Sequence, residues 1–335
     1  MAKIVIADSD FVVSDIEQKM IEDAGIEFAR FQDKSAAGII KNCADAEGII
    51  TAYGEFPREV FAALPKLEVV SRSGVGYDTV DLAAASEFGV AVCNVPGYAT
   101  EVVSDHAIAM TLALLRRLPE LNADVHHGIW DPTGHRPMGQ VYGRTFGVVG
   151  MGDIGRAVAR KARGLGFEVI CWSHSLVPGR RTPEGFEVVS YDELLKRADV
   201  VSFHTALVPA THHLLNATNI ELLKPGCIVI NTSRGAVVDT AAVAAALEAG
   251  ALWGAGIDVF EEEPLPADDP LVPLVKAPHA LLTPHAAYWS EEAGFELRTR
   301  MTQNAIDVVL GREPHDCLNK QVFANGKLKK LSAAK

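Results

Sequence analysis

A histidine, a carboxylate and an arginine stand in this chain in segments that look like strand ends. His285 follows Pro284 in Thr283-Pro284-His285-Ala286-Ala287-Tyr288-Trp289-Ser290. Histidine is the side chain that exchanges a proton near neutral pH, so it can serve an alcohol whose carbon changes oxidation state. Glu263, in Asp258-Val259-Phe260-Glu261-Glu262-Glu263-Pro264, is the carboxylate placed to hold that ring. Such a partner fixes the orientation of the imidazole and balances its charge once protonated. Glu261 and Glu262 read as solvated loop charges. Arg234 comes just after the apolar run Cys227–Asn231. A guanidinium aimed into a crevice grips a carboxylate in bidentate fashion and polarises a neighbouring keto oxygen. Asp258 closes another apolar run, and its type alone allows three roles: structural, at a nicotinamide carboxamide, or placing Arg234.

A second constellation concerns a nucleotide. Gly150-Met151-Gly152-Asp153-Ile154-Gly155 follows the apolar run Thr145–Val149 and opens a helical pattern. In that context Gly150 permits a tight turn, Gly152 lets backbone approach a pyrophosphate, and Gly155 allows close helix–strand packing. The helix N-terminus then offers its N–H groups to phosphate. The acid expected at the tip of the next strand is missing, and Ser173 stands there. Arg180 and Arg181 follow in a Pro/Gly loop. A serine and arginines suit a ribose 2′-phosphate, so the expected cofactor is NAD(H) or NADP(H), with a slight lean to NADP(H). In Arg72-Ser73-Gly74-Val75-Gly76, glycine-rich amides suit an anion nest for a substrate carboxylate; a plain turn is the alternative.

Short apolar runs alternating with helical patterns predict parallel sheets covered on both faces. Strands are expected at Lys3–Ala7, Gly48–Thr51, Leu67–Ser71, Val90–Asn94, Thr145–Val149, Phe167–Trp172, Val200–His204, Cys227–Asn231, Gly254–Val259 and Leu281–Thr283. A helix of about Val102–Leu118, apolar over most of its circumference, reads as core or subunit interface and should end at Pro119. His126–Gly143 reads as a loop. Further helices are expected at Ile154–Leu165, Tyr191–Arg197, Asn219–Leu223, Thr240–Glu248 and Glu291–Leu310. The fold class is α/β, with two Rossmann-like or flavodoxin-like domains. Residues 100–286 form the nucleotide-binding one. Residues 1–99 plus 287–335 form a discontinuous substrate domain, with the active site expected in the cleft between the two.

The chain has 335 residues, 48% of them hydrophobic, enough for two cores. A net charge of −12 argues against nucleic acid or anionic membrane as partner, and an anionic substrate then needs a local cationic pocket. The five cysteines are scattered without metal spacing, so free thiols, a reducing compartment and no metal are expected. No leader or spanning segment is recognisable, which predicts a cytoplasmic protein. The basic tail from Lys327 reads as a frayed terminus.

Several motifs in order, SGVGYDTVDL (73–82), GVAVCNVPGYATEVVSDHA (89–107), GVVGMGDIGRAVA (147–159), INTSRGAVVD (230–239), GAGIDVFEEEP (254–264) and TPHAAYWS (283–290), resemble the D-isomer-specific 2-hydroxyacid dehydrogenases. The resemblance implies the split two-domain fold, hydride transfer between NAD(P)H and a 2-oxo acid, and a homodimer built partly on the helix after Pro96. It implies Arg234, Glu263 and His285 as the catalytic trio. It further implies Asp153, Ile154, Ser173, Thr205, Thr232 and Asp258 as cofactor contacts, and Ser73, Gly74, Val75 and Gly76 as substrate contacts. Ser173 departs from the family pattern, as does Ala206, where proline is usual; the latter implies only a local loop change. Trp289, with Tyr288, Tyr53 and Tyr98, is expected around the substrate side chain. The adjacent aromatics Tyr288-Trp289 are also similar to the C-terminal-binding-protein corepressors, which implies an alternative: a nucleotide-sensing scaffold with little or no turnover.

Overall fold

In the computed structural model, which describes residues 1–265, 274, 275, 277 and 279–324, the chain forms two compact units. Met1–Tyr98 with Ser290–Lys335 make one, and Ala99–Trp289 make the other. The basic tail lies outside the described residues.

The first unit is built on a five-stranded parallel sheet of order β2-β1-β3-β4-β5. The strands are β1 (Lys3–Ile6), β2 (Glu27–Arg30), β3 (Gly48–Thr51), β4 (Val69–Arg72) and β5 (Ala91–Cys93). β2 was not foreseen, because Glu27-Phe28-Ala29-Arg30 lies at the sheet edge and lacks an apolar run. The long helix Glu291–Val309 packs Leu297, Met301, Ala305, Ile306 and Val309 onto this sheet. Its N-terminus is capped by Ser290, whose hydroxyl accepts the Ala293 amide.

The second unit carries a seven-stranded parallel sheet of order β12-β11-β10-β9-β6-β7-β8. Its strands are β6 (Thr145–Val149), β7 (Glu168–Trp172), β8 (Glu187–Val188), β9 (Val200–Phe203), β10 (Cys227–Asn231), β11 (Leu252–Ile257) and β12 (Ala280–Leu282). The two-residue β8 is too short to carry a sequence pattern. The apolar helix Thr100–Leu115 belongs to the core of this unit. Gly254 and Gly256 let Leu114 and Met110 sit directly on β11, where an added Cβ would lie 3.0 Å or less from them. Each such buried Leu or Met contributes about 1.5–3 kcal/mol.

Pro119 does not end that helix; Arg117 does, with φ of 53°. A new helix, Leu118–His126, then starts with Pro119 in its first turn, where a missing N–H costs nothing. The predicted helix Asn219–Leu223 is only a 3-10 turn, Ile220–Leu222.

Candidate active site

The chain leaves β6 in one direction toward β7 and β8, and returns to β9 on the other side. The crevice between the ends of β6 and β9 is therefore where a parallel sheet of this kind receives a ligand. Gly150, with φ of +95°, turns the chain there, and a Cβ on it would lie 2.5 Å from the His204 carbonyl oxygen. A Cβ on Gly155 would lie 1.9 Å from the Gly150 oxygen. Gly152 is different: a Cβ there would meet nothing within 4 Å. It caps the helix Asp153–Gly164 without any side-chain hydrogen bond. An open approach over unsatisfied helix N–H groups suits a pyrophosphate. At the neighbouring strand ends, His204 Nδ1 and Thr232 Oγ1 are buried without a hydrogen-bond partner among the described residues. Burial pushes the His204 imidazole down to about 3, so the ring stays neutral, and its Nε2 lies 2.7 Å from Ser202 Oγ. These two orphaned groups, the open Gly152 and the bare helix end fit a dinucleotide. Thr232 is among the expected cofactor contacts and His204 is not; the signal for His204 is the Ser202-x-His204 alternation, which puts both on one strand face.

At the end of β10, Asn231 is fully buried and shapes the turn that carries Arg234. Its Oδ1 accepts the Ser233 amide (3.0 Å) and hydroxyl (2.8 Å), and its Nδ2 donates to the Arg234 carbonyl (2.9 Å). A Cβ on Gly235 would fall 2.0 Å from the Phe260 carbonyl carbon, so only glycine lets this turn lie against the loop leading to Glu263. Glu263 Oε1 accepts the Phe260 amide (2.8 Å) and Oε2 meets His285 Nδ1 at 2.6 Å. Burial pushes the Glu263 carboxyl up. The His285 hydrogen bond and charge, the Phe260 amide and the charge of Arg234 outweigh it and hold the carboxyl below its usual range. Arginine, glutamate and histidine thus act on one another within a single unit.

His285 has φ of 52°, a left-handed backbone that a non-glycine residue adopts at a cost of about 1–3 kcal/mol. Asp258 holds it there. Its carbonyl accepts the His285 amide (2.7 Å), and its carboxylate accepts the amides of Ala286 (2.9 Å) and Ala287 (3.0 Å) and the Thr283 hydroxyl. Asp258 was expected among the cofactor contacts. Its carboxylate is fully buried and turned onto the histidine turn, as the structural role also open to it requires. His106 Nε2 supports the same network at 3.1 Å from Thr283 Oγ1. The Tyr288 ring stands edge-on to His285 at 5.9 Å and Trp289 edge-on to Tyr288 at 6.4 Å. Trp289 is 45% exposed.

Glu261 is not the idle charge expected; it pairs with His213 at 2.7 Å. At the tip of β7, Ser173 Oγ lies 3.5 Å from Ser175 Oγ. Arg181 is tied to the Gly185 carbonyl (2.7 Å), and both it and Arg180 are exposed. Thr205, one residue past His204, bonds only weakly to Ala206 at 3.4 Å. In the first unit the Ser73 amide is already committed to Thr51 O, which removes it from the anticipated nest. Arg72 and Asn94 hold the Gly76 and Val75 carbonyls from below. Gly74, with φ of +149°, opens on empty space.

A sequence model of the D-isomer specific 2-hydroxyacid dehydrogenase NAD binding domain matches residues 108–287. A glyoxylate reductase of Korarchaeum cryptofilum is 38% identical over 288 residues, covering 85% of this chain and 86% of that relative. The crystal structure of the TT0316 protein from Thermus thermophilus superposes with a TM-score of 0.84 at 35% identity, over 94% of this chain and 99% of that one. A glyoxylate reductase from Paecilomyes thermophila gives 0.83 at 28% identity, over 96% and 99%. These likenesses do not favour the scaffold alternative. No helix among the described residues is long and apolar enough to cross a membrane. The chain belongs to the D-isomer specific 2-hydroxyacid dehydrogenase family, and is an oxidoreductase that moves a hydride between a nicotinamide cofactor and a 2-oxo or 2-hydroxy acid.

Proposed function

We propose that the enzyme reduces small 2-oxo acids, glyoxylate first among them, with His285 as the proton donor. The observation that carries this reading is the 2.6 Å contact of His285 Nδ1 with Glu263 Oε2, with the charge of Arg234 acting on the same carboxylate. A bound nicotinamide supplies the hydride. Because Glu263 engages Nδ1, proton exchange with the substrate oxygen falls to Nε2 of His285. Glu263 keeps the ring oriented and balances its charge. Arg234 holds the substrate carboxylate and polarises its keto group. Trp289 trims the space for the substrate side chain, consistent with the glyoxylate reductases among the relatives.

The contacts to the cofactor run from Gly150, Gly152, Asp153, Ile154 and Gly155 at the phosphates to Thr205 and Thr232 near the reacting end. Ser173 and the exposed Arg180 serve the adenosine ribose and favour NADP(H), alone or beside NAD(H). The enzyme works in the cytoplasm as a homodimer. The exposed Leu118, Val125, Ile129, Trp130 and Tyr142 near the second helix of the second unit suit a subunit contact.

The test is consumption of NADH and NADPH with glyoxylate, hydroxypyruvate and larger 2-oxo acids. Glyoxylate and hydroxypyruvate should exceed branched 2-oxo acids by about tenfold or more in kcat/KM. No turnover with any of them overturns the reading. A preference for NADH of about a hundredfold, equal to about 2.7 kcal/mol, ends the NADP(H) part alone.

A further inference from the structure

His212, His213 and Glu261 bring three potential metal-ligand atoms within 4.8 Å of one another in the second unit. The arrangement has structural causes. Consecutive side chains on extended backbone point to opposite sides. Here His213 takes φ of 45°, and the two imidazole rings lie side by side, centroids 4.2 Å apart and planes 30° from parallel. The loop is clamped: the His213 amide donates to Ala236 O (2.7 Å) and Asn216 Nδ2 to His213 O (3.0 Å). Glu261 enters from the loop after β11, with Oε1 at 2.7 Å from His213 Nε2. Two imidazoles and one carboxylate are the donor set that suits a borderline divalent transition metal, and three protein ligands leave room for water.

We propose that His212, His213 and Glu261 form a binding site for a divalent transition-metal ion of the Zn(II) or Ni(II) class. The ion takes the place of the proton now shared by His213 Nε2 and Glu261. It draws the three donors in to about 2.0–2.2 Å from itself. This set is separate from Arg234, Glu263 and His285, although the Phe260 amide that supports Glu263 directly precedes Glu261. A bound ion therefore ties the 211–213 loop to the loop that carries the catalytic carboxylate.

The test is equilibrium dialysis of the chelator-treated full chain against Zn(II), repeated with Co(II) for its absorption spectrum. Wild-type protein should bind one ion per chain in the micromolar range, and the ion should raise Tm by about 5 °C at saturation. His212→Ala/His213→Ala should lose at least about a hundredfold in affinity, and Glu261→Gln about tenfold, with the metal-free Tm little changed. The Co(II) form should lack a thiolate charge-transfer band. Absence of binding, a thiolate band from the cysteines, or equal affinity in the double-histidine variant and wild type overturns the proposal.

Discussion

Both sheets have a point where the strand order reverses, and the two points are finished in opposite ways. In the first unit it lies between β1 and β3. There Asp8, only 3% exposed, fills it: its carboxylate accepts the Thr51 hydroxyl, the Ala52 amide (3.2 Å) and the Tyr53 amide (2.6 Å). In the second unit it lies between β6 and β9. There Gly152 opens on space, and His204 Nδ1 and Thr232 Oγ1 carry no partner among the described residues. A buried polar group left unpaired costs about 1–3 kcal/mol. At this point the first sheet satisfies itself. The second keeps hydrogen-bonding capacity in reserve, which is the condition for a bound nucleotide to supply what the fold lacks.

Gly155→Ala attacks the open point most severely. Its Cβ must displace the Gly150 carbonyl, so stability should fall by about 1–3 kcal/mol or more and cofactor binding should vanish. Thermal unfolding with a cofactor titration by fluorescence checks this; retained binding would break the comparison. Next comes Asp258→Asn, which sets an amide donor against either the Ala286 or the Ala287 N–H group, since the two amides bind different oxygens of the carboxylate. Stability should drop by about 1–3 kcal/mol, and kcat about tenfold to a hundredfold as the His285 turn loosens. Asp8→Asn should cost similar stability yet leave cofactor Kd within about twofold of wild type, because its site is already filled. Thr232→Val is the mildest. Removing an unpaired hydroxyl should leave the Tm of the free protein unchanged or slightly raised, while cofactor Kd rises about fivefold. A fall in Tm without a change in Kd would mean that the hydroxyl serves the fold and not the ligand.

Buried parallel strands were readable in the sequence because their runs are nearly all apolar, as in Cys227–Asn231 and Gly48–Thr51. Two of the four edge strands were not: Glu27–Arg30 and Glu187–Val188 carry charges and little length, whereas the apolar edges Ala91–Cys93 and Ala280–Leu282 were readable. Pro119 misled because proline stops a helix and also starts one; the deciding feature was the left-handed Arg117, which its residue type does not announce. That Arg234, Glu263 and His285 act on one another was readable through motif order. What distinguishes Asp258 from Glu263 was not, since both are acids after β11. One is buried under the His285 turn and the other faces its ring, a difference made by tertiary hydrogen bonds. The pairing of Glu261 with His213 spans 48 positions and leaves no local trace.

Whether His285 exchanges the substrate proton is tested most directly by steady-state turnover of His285→Ala with glyoxylate, alongside its cofactor Kd and Tm. A proton-donating His285 requires a fall in kcat of about a hundredfold to ten-thousandfold, with Kd within about threefold of wild type and the fold intact. A kcat within about tenfold of wild type in a folded, cofactor-binding variant would contradict it.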